Sequence, residues 1–144
     1  MTFLLDTNVI SELRRPERAD PRVRAWAAST EASHFYLSVI TVLEIEQGLL
    51  LVERRDTVQA QHLRAWFEGQ VRRQFDGRIL PIDTAVAMRC AGLHVPNPRS
   101  ERDALIAATG LVHGMTIVTR NVADFRGAQV PLLDPWEASP NDRV

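Results

Sequence analysis

The chain has 144 residues, of which 45% are hydrophobic and 24% are charged, and its formal net charge is −1 at pH 7. These values are ordinary for one globular domain, and they exclude a disordered chain or a protein that binds nucleic acid through a strongly basic overall charge. The apolar stretches are too short to span a bilayer and the N-terminus lacks a secretory signal pattern, so we expect a cytoplasmic protein with no membrane partner.

The N-terminal segment predicts a buried strand that turns abruptly into a helix. Residues 3–5 are a continuous apolar run, and apolar residues then recur at helical spacing over 9–13. Asp6, Thr7 and Asn8 lie at the junction. Because such residues commonly cap helices, a capping role and a functional role are equally open for them at this point.

The rest of the chain alternates between strand and helix patterns. After a turn at 16–21 and a short amphipathic helix around Trp26, strands are predicted at 35–40, 77–83, 115–119 and, marginally, 130–134. Helices are predicted at 41–55, 56–75, 85–90 and 101–114, with a loop at 94–100 and a turn or short helix at 120–127. This alternation predicts one α/β domain over residues 1–136 with a parallel sheet of four to five strands, and residues 137–144 are expected to form a flexible tail.

Acidic residues recur near the carboxyl ends of the predicted strands, where open parallel sheets bind ligands. Asp6 ends the first strand, Glu44 and Asp103 lie near helix starts, and Asp124 follows the fourth strand together with Asn121. If the strands are adjacent and parallel, the four carboxylates converge on one pocket.

Helix capping is the simpler interpretation of three of these acids. Thr41 to Glu44 and Ser100 to Asp103 fit the capping-box spacing, and Asn121 with Asp124 imitates it weakly. Taken singly, each acid is more typical of a cap than of a ligand.

Taken together, converging carboxylates repel one another and raise their own pKa values unless a cation intervenes. The chain has no lysine, and we expect the neighbouring Arg102 and Arg120 to point elsewhere. Mg²⁺ or Mn²⁺ suits such oxygen ligands better than zinc, since no cysteine or histidine cluster accompanies them, and either ion activates water for attack on a phosphodiester. Cys90, the single cysteine, is expected in the core, and structural roles are expected for His34, His62, His94 and His113.

The segments LLDTNVISE, LSVITVLEIEQG, GRILPID, RDALIAATG, VTRN and DPW together resemble the PIN domain family. The resemblance is to the VapC-type toxins of type II toxin–antitoxin systems, and most to their FitB-like branch, from residue 3 to about 136. It implies a three-layer α/β/α sandwich and a Mg²⁺- or Mn²⁺-dependent endoribonuclease that leaves 3′-hydroxyl and 5′-phosphate ends. It also implies a homodimer and a cognate VapB-like antitoxin whose C-terminal segment occludes the acidic pocket.

The resemblance further implies roles for individual side chains. Asp6, Glu44 and Asp103 match the first three catalytic and metal-binding acids. The fourth position is open, because Asn121 stands where relatives often carry an aspartate and Asp124 lies nearby as a substitute. Roles in orienting Asp6 or contacting substrate are implied for Thr7, Asn8, Thr119 and Asn121.

Two other functions remain open from the sequence. An aspartyl-phosphate phosphatase also has an aspartate at a strand end, but that class carries a second aspartate two residues later, where this chain has Asn8. A non-catalytic PIN-fold interaction module, in which the acids only cap helices, is supported by Asn121.

Two groups of residues are candidate contact surfaces. All 17 basic residues are arginine, whose planar guanidinium binds phosphate through paired hydrogen bonds, and we expect RNA backbone to contact Arg14, Arg15 and Arg18. Trp66 and Phe67 are candidates for an antitoxin groove or a dimer face, although a core position is the favoured interpretation.

Overall fold

A parallel five-stranded sheet in the order β3-β2-β1-β4-β5 forms the centre of the computed structural model, which describes residues 1–137. The strands are β1 Phe3–Leu5, β2 Phe35–Ser38, β3 Ile79–Leu80, β4 Thr116–Val118 and β5 Leu132–Leu133. Strand β1 pairs with β2 on one side and with β4 on the other. The strand order therefore reverses beside β1, and such a switch point is where open parallel sheets bind ligands.

Helices follow the strands along most of the chain. Their bounds are α1 Thr7–Leu13, α2 Pro21–Ala28, α3 Val39–Glu53, α4 Thr57–Trp66, α5 Arg72–Gln74, α6 Thr84–Leu93 and α7 Glu101–His113, with 3-10 turns at Ala32–His34 and Val122–Phe125. A π-helical segment, Phe67–Val71, interrupts the single helix predicted over 56–75. Helices α3 and α4 pack against each other as a helical hairpin. Within residues 1–137, no helix is both long enough and apolar enough to cross a membrane.

Two apolar clusters cover the two faces of the sheet and make three layers. Successive residues of a strand point to opposite faces, so Phe3 and Leu5 join one cluster with Trp26, while Leu4 joins the other with Ile106. All three residues of β1 are buried, which is the reason that its sequence is apolar without alternation. The predicted α/β/α sandwich is confirmed.

The start of α3 is the main correction to the predicted boundaries. The sequence predicts a strand over 35–40 and a capping box from Thr41 to Glu44. In the structure, the Ser38 hydroxyl accepts a hydrogen bond from the Ile40 amide at 3.0 Å, so the strand ends at Ser38 and the helix begins at Val39. The capping box is wrong, because Thr41 is buried inside the helix and Glu44 lies beyond its first turn.

The other boundary differences are smaller. The third strand is confined to Ile79–Leu80, because the Asp83 side chain caps α6 by accepting from the Val86 amide at 2.9 Å. The predicted end of α7 at Gly114 is confirmed, with Gly114 in the left-handed conformation at φ 67°. The predicted tail over 137–144 lies outside the described residues except for Glu137.

Truncation of Leu4 should destabilise the domain strongly, because this side chain is fully buried on the central strand. We expect Leu4→Ala to lower the free energy of unfolding by roughly 2–5 kcal/mol, measured by urea denaturation followed by circular dichroism. The control is Leu51→Ala, whose side chain is 57% exposed and whose change should stay within about 0.5 kcal/mol. Equal losses in the two variants would contradict the assigned core.

Candidate active site

An open pocket of about 430 Å³ lies at the carboxyl edge of β1, beside the switch point. It is formed by the start of α1, the middle of α3, the start of α7 and the segment after β4. The residues that line it are Asp6, Thr7, Asn8, Ser11, Glu44, Asp103 and Asn121. Three of the four predicted acids therefore meet in one place.

Asp6 is the most constrained side chain of the pocket and is only 7% exposed. Its Oδ1 accepts a hydrogen bond from the Thr7 amide at 2.8 Å, which caps α1. Its Oδ2 accepts from the Thr119 hydroxyl at 2.8 Å and from Nδ2 of Asn8 at 3.3 Å. Capping and pocket lining are thus combined in one carboxylate, whose orientation is set by three donors.

Thr7 connects two acids of the pocket. While its amide binds Asp6, its hydroxyl donates to Oε1 of Glu44 at 2.8 Å and lies 3.4 Å from the hydroxyl of Thr41. The guanidinium of Arg102 lies 3.8 Å from Oε2 of Glu44, so the expectation that Arg102 points elsewhere is wrong. The first turn of α7 faces α3, and a side chain as long as arginine reaches across the gap between the two helices.

Asn8 and Thr119 join the ends of the two central strands. The Asn8 amide donates to the Thr119 hydroxyl at 3.3 Å, and its carbonyl accepts from the Arg120 backbone amide at 3.2 Å. The Thr119 oxygen also accepts from the Asn121 backbone amide at 3.0 Å. The guanidinium of Arg120 stacks over Trp136 and does not line the pocket, as expected.

The fourth acid lies at the edge of this arrangement. Asp103, in the first turn of α7, is half-buried and lines the pocket, whereas Asp124 is exposed and does not. Asn121 lines the wall after β4 instead. Within residues 1–137, the carboxylate oxygens of Asp6, Glu44 and Asp103 do not all lie within 4.8 Å of one another.

Burial and like charges act on two of these carboxyl groups. Loss of solvent raises the pKa of Asp6, and the charges of Glu44 and Asp124 raise it further, against the hydrogen bonds from Thr119 and Thr7. Burial also raises the pKa of Asp103, followed by the charges of Asp124 and Asp6. Asp124 therefore belongs to the electrostatic field of the pocket although it is outside the lining.

The three arginines predicted to bind RNA lie at the far end of α1. Arg14 is half-buried with its guanidinium 6.0 Å from the Trp66 ring centre, and burial lowers its pKa, with smaller effects from Arg15 and Arg18. Arg15 and Arg18 are exposed, and none of the three lines the acidic pocket.

Phe67 is 2% exposed and belongs to the core, as the favoured interpretation predicts, while Trp66 is half-buried beside it.

A second polar cluster was not predicted, because its members are separated along the chain by a loop. Nε2 of His94 lies 3.3 Å from Glu101 and 3.8 Å from Sγ of Cys90, and Nδ1 accepts from the Arg99 amide at 3.0 Å. The Cys90 thiol donates to Oε1 of Glu101 at 3.9 Å. The cluster is therefore satisfied as hydrogen bonds that tie the end of α6 to the start of α7.

Comparisons with known proteins match this sequence and this fold. Residues 3–128 match the PIN domain family. The chain is 36% identical over 142 residues to the VapC ribonuclease Y4jK of Sinorhizobium fredii, covering 94% of this chain and 98% of that protein. It is 38% identical over 139 residues to toxin FitB of Neisseria gonorrhoeae, covering 93% and 98%. The crystal structure of FitAcB from the same organism superposes with a TM-score of 0.87 at 36% identity, over 95% of this chain and all of that one.

Removal of the Asp103 charge should stabilise the metal-free protein at neutral pH. Its folded-state pKa is raised above 3.8, so the folding stability associated with this group is complete below that value and declines as the pH rises through the folded pKa. In EDTA we expect Asp103→Asn to melt at a higher temperature than wild type at pH 7 and at the same temperature near pH 4. The exposed Glu17→Gln is the control, and a gain in Asp103→Asn that is independent of pH would contradict the assignment.

Proposed function

This chain belongs to the PIN domain family, and from that membership we propose that it is the toxin of a type II toxin–antitoxin system, a Mg²⁺- or Mn²⁺-dependent endoribonuclease. One observation carries the proposal. Asp6, Glu44 and Asp103, far apart in sequence, line one open pocket at the switch point of the sheet. The relatives named as a VapC ribonuclease and as toxin FitB support the substrate class and the toxin role.

The donor set of the pocket fits a hard divalent cation. Its ionisable lining groups are three carboxylates, and the cluster that contains histidine and cysteine lies elsewhere. Oxygen ligands of this kind select Mg²⁺ or Mn²⁺ over softer metals. Such a cation, when bound, activates a water for attack and stabilises the negative charge that develops on the phosphodiester.

We assign the metal-binding role to Asp6, Glu44 and Asp103, with Asp124 as the fourth acid at the edge. Hydrogen bonds within the protein orient two of these carboxylates before any ligand binds. Thr119 and Asn8 hold Asp6 in one orientation, and Thr7 holds Glu44 relative to it. Hydrogen bonds of this kind around metal ligands typically change metal affinity or activity by about 10–100-fold when they are removed.

The substrate strand is positioned by groups at the pocket wall. The exposed amide of Asn121 and the hydroxyl of Ser11 line the pocket and are able to hydrogen-bond phosphate or ribose oxygens. The Ser100 side chain does not cap α7, and Asp103 in the first turn of this helix lines the pocket, so the helix N-terminus favours a negatively charged group there.

The two alternatives find less support in the geometry. A phosphatase of the aspartyl-phosphate class needs its nucleophile free and an acid beside it, whereas both oxygens of Asp6 accept hydrogen bonds and Asn8 is one of the donors. A non-catalytic module would need the acids only as caps, but Glu44 caps no helix.

For partners, we propose RNA as substrate in the cytoplasm, a VapB-like antitoxin as inhibitor and a second copy of the chain. Leu43 and Leu50, seven residues apart on α3, are 45% and 47% exposed, which supports a protein contact on that helix. Light scattering of the purified protein with and without its co-expressed antitoxin would report both assemblies. A monomer that binds no antitoxin would contradict this part of the proposal.

Loss of the Asp6 charge should abolish cleavage while the fold is retained. We expect Asp6→Asn and Asp103→Asn each to reduce the cleavage rate of a labelled RNA in Mn²⁺ by roughly 100-fold or more, and Thr119→Val by about 10–100-fold. Circular dichroism checks that each variant is folded, and Glu17→Gln is the control that should cleave as wild type does.

Three results would separate the alternatives. Full activity in both acid variants would eliminate the proposed site. A covalent phosphoenzyme would indicate the phosphatase. If the wild-type protein cleaves no RNA in Mg²⁺ or Mn²⁺, the non-catalytic interaction module would be the remaining hypothesis.

A further inference from the structure

A second pocket, of about 630 Å³, lies between the end of α6, the 94–100 loop and the segment after the 3-10 turn. Two guanidinium groups, of Arg89 and Arg99, and two amides, of Asn97 and Gln129, line it together with Gly127. None of its lining residues is acidic. In a chain of net charge −1, this is a local concentration of positive charge and hydrogen-bond donors beside a pocket of acids.

Arg99 is held in place by its surroundings. Its Nη2 donates to the Arg126 carbonyl at 2.8 Å, and its backbone amide donates to Nδ1 of His94 at 3.0 Å. Gly127 makes room for the guanidinium, since a Cβ at that position would lie 2.6 Å from Nη2 and the backbone there has a φ of 84°. The orientation of the guanidinium is therefore largely set before any ligand binds.

The arginines of this region are also free of acidic partners. Within residues 1–137, no carboxylate lies within 4.0 Å of the guanidinium nitrogens of Arg89, Arg99 or Arg126. A planar guanidinium with unused N–H groups binds a phosphate through paired hydrogen bonds. A bound anion would supply the negative charge that no nearby carboxylate provides to these guanidinium groups.

The chain places this pocket next to the acidic one. Arg99 precedes Asp103 by four residues, and Gly127 follows Asp124 by three. Because a residue spans at most about 3.6 Å, the backbone at Arg99 lies within roughly 14 Å of that at Asp103. The chain therefore keeps part of the arginine-lined pocket within a short distance of the acidic pocket.

We propose that this arginine pocket, formed by Arg89, Asn97, Arg99, Gly127 and Gln129, binds one nucleotide of single-stranded RNA beside the phosphodiester that is cut. The inference rests on the proposed ribonuclease function and extends it to the path of the substrate. The backbone phosphate binds the Arg99 and Arg89 guanidiniums. The Asn97 and Gln129 amides, each with a donor and an acceptor, face the base edge, which is how unpaired RNA is commonly read.

The physical need for such a site follows from the charge of the acidic pocket. Three carboxylates that line one pocket repel a polyanion. Fixed arginines on neighbouring segments offset the repulsion and hold the strand in register. Arg14, Arg15 and Arg18 line none of the four pockets described within residues 1–137, and we therefore place the RNA contact at the arginine pocket and not at the surface predicted from the sequence.

The test is equilibrium binding of a fluorescent single-stranded RNA oligonucleotide, measured by anisotropy in EDTA so that no cleavage occurs. We expect Arg89→Gln and Arg99→Gln each to raise the Kd about tenfold. Each should also reduce the slope of log K against log salt by about 0.7, the value for one lost phosphate contact on a single strand. Arg99→Lys, which keeps the charge but loses the planar fork, should be intermediate. Arg73→Gln, an exposed arginine on α5, is the matched control and should bind as wild type does.

Arg99→Gln removes a hydrogen bond that orders the 94–100 loop, so a loss of binding in that variant alone has two explanations. Arg89 is exposed, and its replacement does not disturb that loop, so Arg89→Gln tests the RNA contact by itself. Wild-type affinity and salt slope in Arg89→Gln and Arg99→Gln would overturn the proposal, as would a wild-type protein that binds no RNA. Unchanged RNA binding with weakened binding of an acidic antitoxin segment would also overturn it.

Failure of the subsite and failure of the ribonuclease function are distinguishable. If wild type cleaves RNA, Asp6→Asn does not, and the arginine variants bind RNA normally, the ribonuclease proposal would stand and the subsite proposal would be rejected. RNA binding that depends on the two arginines, without cleavage by wild type in Mn²⁺, would support the subsite and remove the function.

Discussion

A buried carboxylate between the ends of the two central strands is the constraint on which this site depends. An ionised aspartate removed from water is unfavourable unless donors surround it, and Asp6 is surrounded by the Thr7 amide, the Thr119 hydroxyl and the Asn8 amide. Each of these groups has a second task. Thr7 also holds Glu44, and Asn8 also binds the backbone after β4. The short DTN segment therefore fixes one acid and joins it to two other elements.

The sheet was predictable because its strands are apolar runs that lead directly into helical patterns. Prediction failed where local preferences conflict with tertiary contacts. Val39 and Ile40 are β-branched and extend the strand pattern, but the Ser38 hydroxyl caps the helix before them. The π-helical segment at Phe67–Val71 leaves the same apolar face turned to the core, so the sequence pattern cannot distinguish it from a regular helix.

Convergence of Asp6 and Glu44 was predictable from topology, because parallel strands place their following helices at one edge, and Asp103 joins them since α7 runs from that edge back to the start of β4. The position of the fourth acid was not. Phe125 is 1% exposed, and its insertion into the core directs the neighbouring Asp124 outward and leaves Asn121 on the pocket wall. The roles of these side chains as metal ligands remain a prediction. The arginine pocket could not be predicted from the sequence either, since it depends on a loop and a glycine that belong to no periodic pattern.

The most direct test of the central claim is a crystal structure of the protein soaked in Mn²⁺, with the ion located by its anomalous scattering. The claim predicts a peak within coordinating distance, about 2.0–2.3 Å, of carboxylate oxygens of Asp6 and at least one of Glu44 and Asp103. A peak bound only elsewhere, such as at Glu101 and His94, or no peak at saturating Mn²⁺, would contradict it.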